Sequence, residues 1–366
     1  MPELLKNIYN AAFFEEFTAL FQQVKSDFDQ KLFIKEIHTS NWEVMELKQR
    51  MRHIAFTLNR FLTGNYQKDI ETLCQLINLL IQQQNRKGLE YLFLPDYIEQ
   101  FGINEFDTSI KAMEKFTQFT SCEFAVRPFL INYPDRMMQI MQSWASHENH
   151  AVRRFASEGC RPRLPWAMAI PFLKINPEPI LPILEKLKND SSEFVRKSVA
   201  NNLNDISKDH PQLVIDLVQK WKGKSMDTDW VCKHGSRTLL KQGNREVLDF
   251  FGLNNTNFVQ IKDFQLLKSK VQIGDNLKFE FKLQNTNSEY LTIRLEYAIY
   301  YQKANGSLAK KVYKISEKTY SGNSETFVRR KQSFKIITTR KFHKGLHQVS
   351  VIVNGKEGQS LDFELQ

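Results

Sequence analysis

The sequence is poor in cysteine, and what it has does not pair locally. Cys74, Cys122, Cys160 and Cys232 lie far apart with no C-x-x-C among them. That spacing argues against a zinc site or a disulfide framework and fits a reducing compartment. No apolar run approaches the ~20 residues that a membrane-crossing helix needs. Residues 1–20 carry acids and lack a basic start followed by an apolar block, so no secretory signal is expected and a cytoplasmic protein is. Common signatures of nucleotide, metal and acyl-transfer chemistry are missing too. Gly223-Lys224-Ser225 resembles the end of a P-loop, but the glycine required five residues earlier is Val218. His147-Glu148-Asn149-His150 is one residue short of an H-E-x-x-H zinc site. There is no G-x-S-x-G turn and no convincing Cys/His pair. No metal and no cofactor is therefore expected.

Acidic charge is also in deficit. Lys and Arg number 51 against 41 Asp and Glu, a formal net charge of +10 and a pI of about 9.2. An excess of this size implies attraction to a polyanion, either nucleic acid or an acidic membrane surface. The chain has 366 residues, enough for two domains.

From residue 1 to about 252 the apolar residues recur three and four apart, as in FFEEFTALFQQV (13–24) and IETLCQLINLLIQQ (70–83), which predicts helices. From Pro134 a repeat emerges. PDRMMQIMQSW precedes HAVRRFASEG, PEPILPILEKL precedes EFVRKSVANN, and PQLVIDLVQKW precedes DWVCKHGSRTLLKQG. Each unit is a proline-started helix followed by a second helix opening on valine and basic residues. The valines, Val152, Val195 and Val231, lie 43 and 36 residues apart, a period that predicts a solenoid of HEAT-like helical repeats. Residues 106–132 read as an earlier, degenerate unit in which Val126-Arg127 echoes Val152-Arg153. In such a solenoid the second helices line a concave face. Arg127, Arg153, Arg154, Arg196, Lys197, Lys233 and Arg237 would then form a basic strip along it.

Near residue 252 the pattern changes. About seven short alternating segments follow, among them NLKFEFKLQNT (276–286) and HQVSVIVNG (347–355), with Gly and Asn turns between most of them. They predict an immunoglobulin-like β-sandwich over 253–366, without the inter-sheet disulfide of antibody domains. Residues 255–366 hold 19 Lys and Arg against 10 Asp and Glu. Nearly all the excess charge thus lies in the β domain, much of it within 310–344. A phosphate-backbone contact is expected there, with Arg329, Arg330 and Lys331 among its members.

The stretch 147–166, HENHAVRRFASEGCRPRLPW, departs from its sister repeats. Aligned on the valines, Glu158 corresponds to Asn201, so the acid is not part of the repeat's structural minimum. Asp205 lies one turn beyond Asn201, and Glu123 lies three residues before Val126. Acids on a face built to bind phosphates are unfavourable unless they act. A simple pairing of each acid with a nearby arginine is the competing explanation. Carboxylates in a cationic groove suit hydrolysis of the N-glycosidic bond of a cationic, alkylated base. A fixed carboxylate stabilises the oxocarbenium-like sugar and orients water. The base already carries positive charge and leaves without a general acid. A tryptophan face can hold a cation or pack against the sugar.

The stretch from Val152 to Trp166, the later VRKSVANNLNDISKD and the order of the helical repeats resemble the HEAT-like-repeat DNA glycosylases for alkylated bases, of the AlkC/AlkD type. The added β-sandwich resembles the AlkC branch. The resemblance implies excision of 3-methyladenine and, in that branch, 3-methylcytosine and 1-methyladenine from double-stranded DNA bent along the concave surface. It implies Glu158 as the catalytic carboxylate, Glu123 and Asp205 as accompanying acids, and Trp166 as the aromatic lining the lesion site. Arg161 and Arg163, between the acid and the tryptophan, join the DNA-binding set. No lysine is placed as a Schiff-base nucleophile, so a monofunctional, monomeric enzyme without lyase activity is expected. A different class also fits the composition: a non-enzymatic HEAT-repeat scaffold binding an acidic protein or structured RNA.

Overall fold

A computed structural model describes residues 4–85, 88–337 and 340–366. Among these residues sixteen α-helices precede eight strands. The first six helices are α1 (Ala11–Val24), α2 (Gln30–Ile37), α3 (Leu47–Arg60), α4 (Tyr66–Gln82), α5 (Phe93–Phe101) and α6 (Phe106–Phe116). Side-chain oxygens start several of them: Asn10 accepts from Phe13 N, Asp29 from Leu32 N and Asn65 from Lys68 N. These caps occupy amide donors that the first turn leaves without a partner. The aromatic spacing of α1 buries Phe13, Phe14, Phe17 and Phe21 against one another and against Tyr91 and Phe93.

The repeat follows as α7 (Val126–Asn132), α8 (Pro134–Trp144), α9 (His150–Gly159), α10 (Pro171–Ile175), α11 (Leu181–Leu187), α12 (Glu193–Ile206), α13 (Pro211–Trp221) and α14 (Met226–Gly235). Val126, Val152, Val195 and Val231 are all fully buried. The valine register is therefore the packing register, and α12 packs on α9 on one side and α14 on the other. Pro134 sits in the first turn of α8, where its missing N–H costs nothing. The helix expected from Pro177 differs. A 3-10 turn, Glu178–Ile180, comes first and the α-helix begins at Leu181. Pro179 and Pro182 supply no N–H and are tolerated only in an opening turn, so the helix is delayed until both are accommodated.

Two short helices, α15 (Arg237–Gln242) and α16 (Arg245–Phe250), close the helical part. The change from helix to strand falls close to residue 252, but packing divides the chain differently. One unit comprises 1–210 and 221–235; the other comprises 211–220 and 236–366. The second unit draws α15 and α16 onto the strands through a glycine pair. A Cβ on Gly243 would lie 2.9 Å from the Gly355 carbonyl oxygen, and both glycines hold positive φ. No side chain fits that approach.

The strands form two sheets. One is antiparallel, in the order β1 (Val259–Leu266), β3 (Asn276–Asn285), β6 (Ser324–Ser333). The other runs β2 (Lys270–Val271), β8 (Lys356–Leu365), β7 (Gly345–Val353), β4 (Leu291–Gln302), β5 (Leu308–Tyr320), with β2–β8 parallel. Leu277, Phe279, Phe281 and Leu283 of β3 face Ile293, Leu295, Ile299, Val349 and Val351 in one core. This period-2 burial is what the sequence pattern predicted. The eighth strand, β2, has two residues, too few to show an alternation.

Candidate active site

The three acids singled out in the sequence come together in one hydrogen-bonded network. Glu158 is the penultimate residue of α9, Asp205 the penultimate residue of α12, and Glu123 lies in the turn before α7. Glu158 and Asp205 stand at different offsets from their valines. α12 has 14 residues and α9 has 10, so the longer helix carries its acid one turn further. Arg161 joins the two: Nη1 donates to Glu158 Oε1 at 2.6 Å, and Nε donates to Asp205 Oδ2 at 2.7 Å. A planar guanidinium can serve both carboxylates at once, which an ammonium group cannot. Arg154 extends the network, with Nη2 3.4 Å from Glu158 Oε1 and Nη1 bonded to Glu123. Ser198 donates to Glu158 Oε2 at 2.7 Å, and Lys208 Nζ donates to Asp205 Oδ1 at 2.9 Å.

Glu158 and Asp205 are 5% and 2% exposed. Both sit at helix C-termini, where the negative end of the dipole disfavours a carboxylate. Burial and dipole both oppose their presence, and the cations offset that cost. Three carboxylates face three cations, Arg154, Arg161 and Lys208, so the cluster presents no net negative charge to an approaching polyanion. Burial alone would lower the basicity of Arg161, but Glu158 and Asp205 more than reverse it. The neighbouring thiol of Cys160 is pushed up to about 12 by burial and is inert as a nucleophile.

Trp166 follows in the loop after α9. The residue is 63% exposed and its φ is +66°. That left-handed backbone costs a non-glycine residue about 1–2 kcal/mol. Lys48 of α3 donates to the Trp166 carbonyl at 2.8 Å and stands 5.2 Å over the ring of Phe124, beside Glu123. Sequence periodicity gave no hint that α3 reaches this loop.

The basic strip needs correction. Arg127 is fully buried and donates to three backbone carbonyls, so it faces no solvent. Arg153 and Arg196 are half-buried clamps. Arg153 donates to the carbonyls of His147 and Glu148 and to the carboxylate of Asp190. Arg196, one repeat later, donates to the carbonyls of Asp190 and Ser191 and pairs with Asp227. The recurring arginine thus closes the loop before its own helix. Arg154 and Arg161 are engaged with the acids, and Arg163 is paired with Asp209 at 2.6 Å. Lys197 is exposed, while Lys233 and Arg237 are half-buried. Periodicity reports which residues share a helix face, and the guanidinium groups on that face reach sideways to loop carbonyls.

Sequence reading passed over two exposed aromatics. Phe194 and Trp230 each precede the repeat valine, and they are 50% and 39% exposed. The Arg154 guanidinium lies 4.9 Å over Phe194, and His234 stacks on Trp230 at 4.9 Å. Their place before the buried valine was the available signal. In the sandwich, Arg329 is held by Glu280 at 2.7 Å, whereas Arg330 and Lys331 are exposed. Among the described residues no three His, Cys, Asp or Glu side chains approach closely enough to share a metal ion, and no helix is long and apolar enough to cross a membrane.

Comparison with known proteins places this geometry. Residues 97–245 match the model of the DNA alkylation repair enzymes, and residues 260–366 match that of the C-terminal Ig-like domain of YhaZ. Protein YhaZ of Bacillus subtilis (strain 168) is 43% identical over 364 residues, 99% of either chain. A solved structure of Pseudomonas fluorescens alkylpurine DNA glycosylase AlkC, bound to DNA containing an abasic site analog, superposes with a TM-score of 0.90 at 35% identity, covering all of both chains. The chain belongs to the AlkC branch of the DNA alkylation repair enzymes. That branch pairs helical repeats with an Ig-like domain, as the sequence had suggested, and the acid network lies within the matched repair-enzyme segment.

Proposed function

We propose that the protein is a monofunctional DNA glycosylase that hydrolyses the N-glycosidic bond of cationic alkylated bases in double-stranded DNA, of the 3-methyladenine, 3-methylcytosine and 1-methyladenine class. One observation carries this reading: three acids from separate elements, two of them (Glu158 and Asp205) buried at helix C-termini that disfavour a carboxylate, are held in a single network by Arg154 and Arg161.

The reaction breaks the bond between C1′ and the base nitrogen. The electron pair leaves with the base and neutralises its charge. Positive charge then develops on the sugar, where Glu158 stabilises it. Water adds to C1′ and gives its proton to a carboxylate of the network, leaving an abasic site. Arg154 is half-buried and shared between Glu123 and Glu158, so a DNA phosphate can compete for it and uncover carboxylate as the duplex docks. Trp166 meets the lesion or its sugar with an exposed indole. Lys197 and the sandwich residues Arg330 and Lys331 supply backbone contacts. Lys208, the lysine bonded to the network, is held by Asp205 and is not offered as a Schiff-base nucleophile. We place this monomeric enzyme in the cytoplasm, acting on nucleoid DNA.

The test is incubation with methylated duplex DNA without added metal. Release of free methylated base, leaving a strand that breaks only after alkali, is the expected result. Absence of base release would sink the reading and leave the scaffold alternative. Borohydride trapping should yield no covalent adduct.

A further inference from the structure

Arg127 carries a charge that the fold has no evident need to bury. Its guanidinium is fully inaccessible, and burial lowers its pKa to about 10. Among the described residues no carboxylate lies within ion-pair distance of it. Its donors instead reach three carbonyl oxygens: Gly159 at 3.2 Å from Nη1, Arg161 at 3.0 Å from Nη2, and Met168 from Nε. A buried cation without a counter-ion costs several kcal/mol unless its hydrogen bonds are all used.

The three acceptors share one feature. Gly159 ends α9, Arg161 is the bridge between Glu158 and Asp205, and Met168 lies two residues beyond Trp166. The repeat sharpens the contrast. At the same register Arg153 and Arg196 reach carbonyls five and six residues back in their own units. Arg127 reaches 32 to 41 residues forward, into the loop that bears the tryptophan.

We infer that Arg127 is the positioning residue of the active-site loop: a buried clasp that fixes both ends of the segment 159–168, and so sets where Arg161 and Trp166 stand relative to Glu158. It touches no reacting atom. A planar fork with donors on three nitrogens can hold three carbonyls in one plane, and lysine cannot copy it. Strain at the positive φ of Trp166 is sustained because Arg127 holds Met168 on one side and Lys48 holds the Trp166 carbonyl itself.

The inference rests on the glycosylase reading for its activity arm, and a second arm is independent of it. Arg127→Lys keeps the charge and removes the fork; Arg127→Met removes both and is carried as a comparison in case it folds poorly. In the full chain, single-turnover release of 3-methyladenine by Arg127→Lys should fall on the order of 10- to 100-fold, as for a small misplacement of positioned groups. Affinity for a duplex carrying a tetrahydrofuran abasic analogue should stay close to that of the wild type. Trypsin should clip after Arg163 faster than in the wild type, read as the peptide beginning at Leu164, with other sites unchanged. Wild-type excision by Arg127→Lys would overturn the inference. So would a parallel loss of excision, affinity and protease resistance throughout the chain, which marks a general structural role. If the wild type releases no base, the glycosylase reading fails by itself, and unchanged clipping after Arg163 would then overturn the clasp separately.

Discussion

The hydroxyl of Ser198 donates to Glu158 Oε2 at 2.7 Å. In the preceding repeat the equivalent position, three residues after the valine, is Phe155, which is buried and stacks on Trp144. A core position of the repeat has thus been exchanged for a hydroxyl that fixes the carboxylate. Ser198→Ala should slow base release with little change in DNA affinity, and Ser198→Thr should recover most of the rate. Single-turnover kinetics on methylated duplex check both variants. Equal rates for wild type and alanine would remove Ser198 from the site.

Glu158→Gln keeps the shape of the side chain and removes its charge. Release of methylated bases should be lost while binding to undamaged duplex is retained. Stability should fall by about 1–3 kcal/mol, because Arg161 is left facing a neutral partner in a buried setting. Thermal unfolding and a base-release assay together report this, and excision that persists in the variant would rule out Glu158 as the catalytic group.

Neighbouring residues in α12 should separate by role. Arg196 is held by loop carbonyls and Asp227, so Arg196→Met should destabilise the protein by about 1–3 kcal/mol with little effect on the salt dependence of DNA binding. Lys197 is exposed and paired with Glu193 within its own helix. Lys197→Gln should leave stability nearly unchanged and weaken DNA binding. Denaturant melts and salt titrations of the two variants would expose a reversed pattern at once.

Asp190 gives a pH dependence with a definite sign. Burial raises its pKa, but the hydrogen bonds from Arg153 and the Ser192 amide lower it further, and the net shift is downward. A depressed carboxyl stabilises the fold fully above its unfolded value of about 3.9, and that contribution is lost as pH falls through the folded value. The melting temperature should therefore drop below about pH 4, and the drop should be shallower in Asp190→Asn. A parallel pH profile for the two proteins would contradict this account.

In the sandwich, replacing Arg330 and Lys331 together by Gln should lower the slope of log affinity against log salt by roughly 0.9 for each phosphate contact removed. The same change at Arg329, already bound to Glu280, should have a smaller effect. An unchanged slope in the double variant would take these residues out of the interface.

Much of this was legible in the sequence, because the information was periodic. The valine register, the passage from helices to strands and the alternation of β3 are statements about which residues face a core, whereas β4 and β7 are buried over continuous runs. Glu158 was legible by contrast with Asn201 in the sister repeat. The partners were not. Nothing in the spacing says that Arg161 also reaches Asp205, that Arg127 turns inward, or that Lys48 crosses from α3 to the tryptophan loop, for these depend on a side chain meeting a partner 32 to 118 residues away. The basic strip was over-read for the same reason: a shared face says where a side chain starts, and its hydrogen bonds decide where it ends.

The buried valines have a consequence for where polar groups of different repeats gather. In α9 and α12 the buried valine stands in the first turn, whereas the acids stand six residues beyond Val152 and ten beyond Val195, roughly 9 and 15 Å along the axis at 1.5 Å per residue. The far ends are buried as well, and the extra turn of α12 packs Leu203 and Ile206 into the core beside Asp205. Polar groups carried on those ends therefore meet across adjacent modules, as Glu158 and Asp205 do through Arg161.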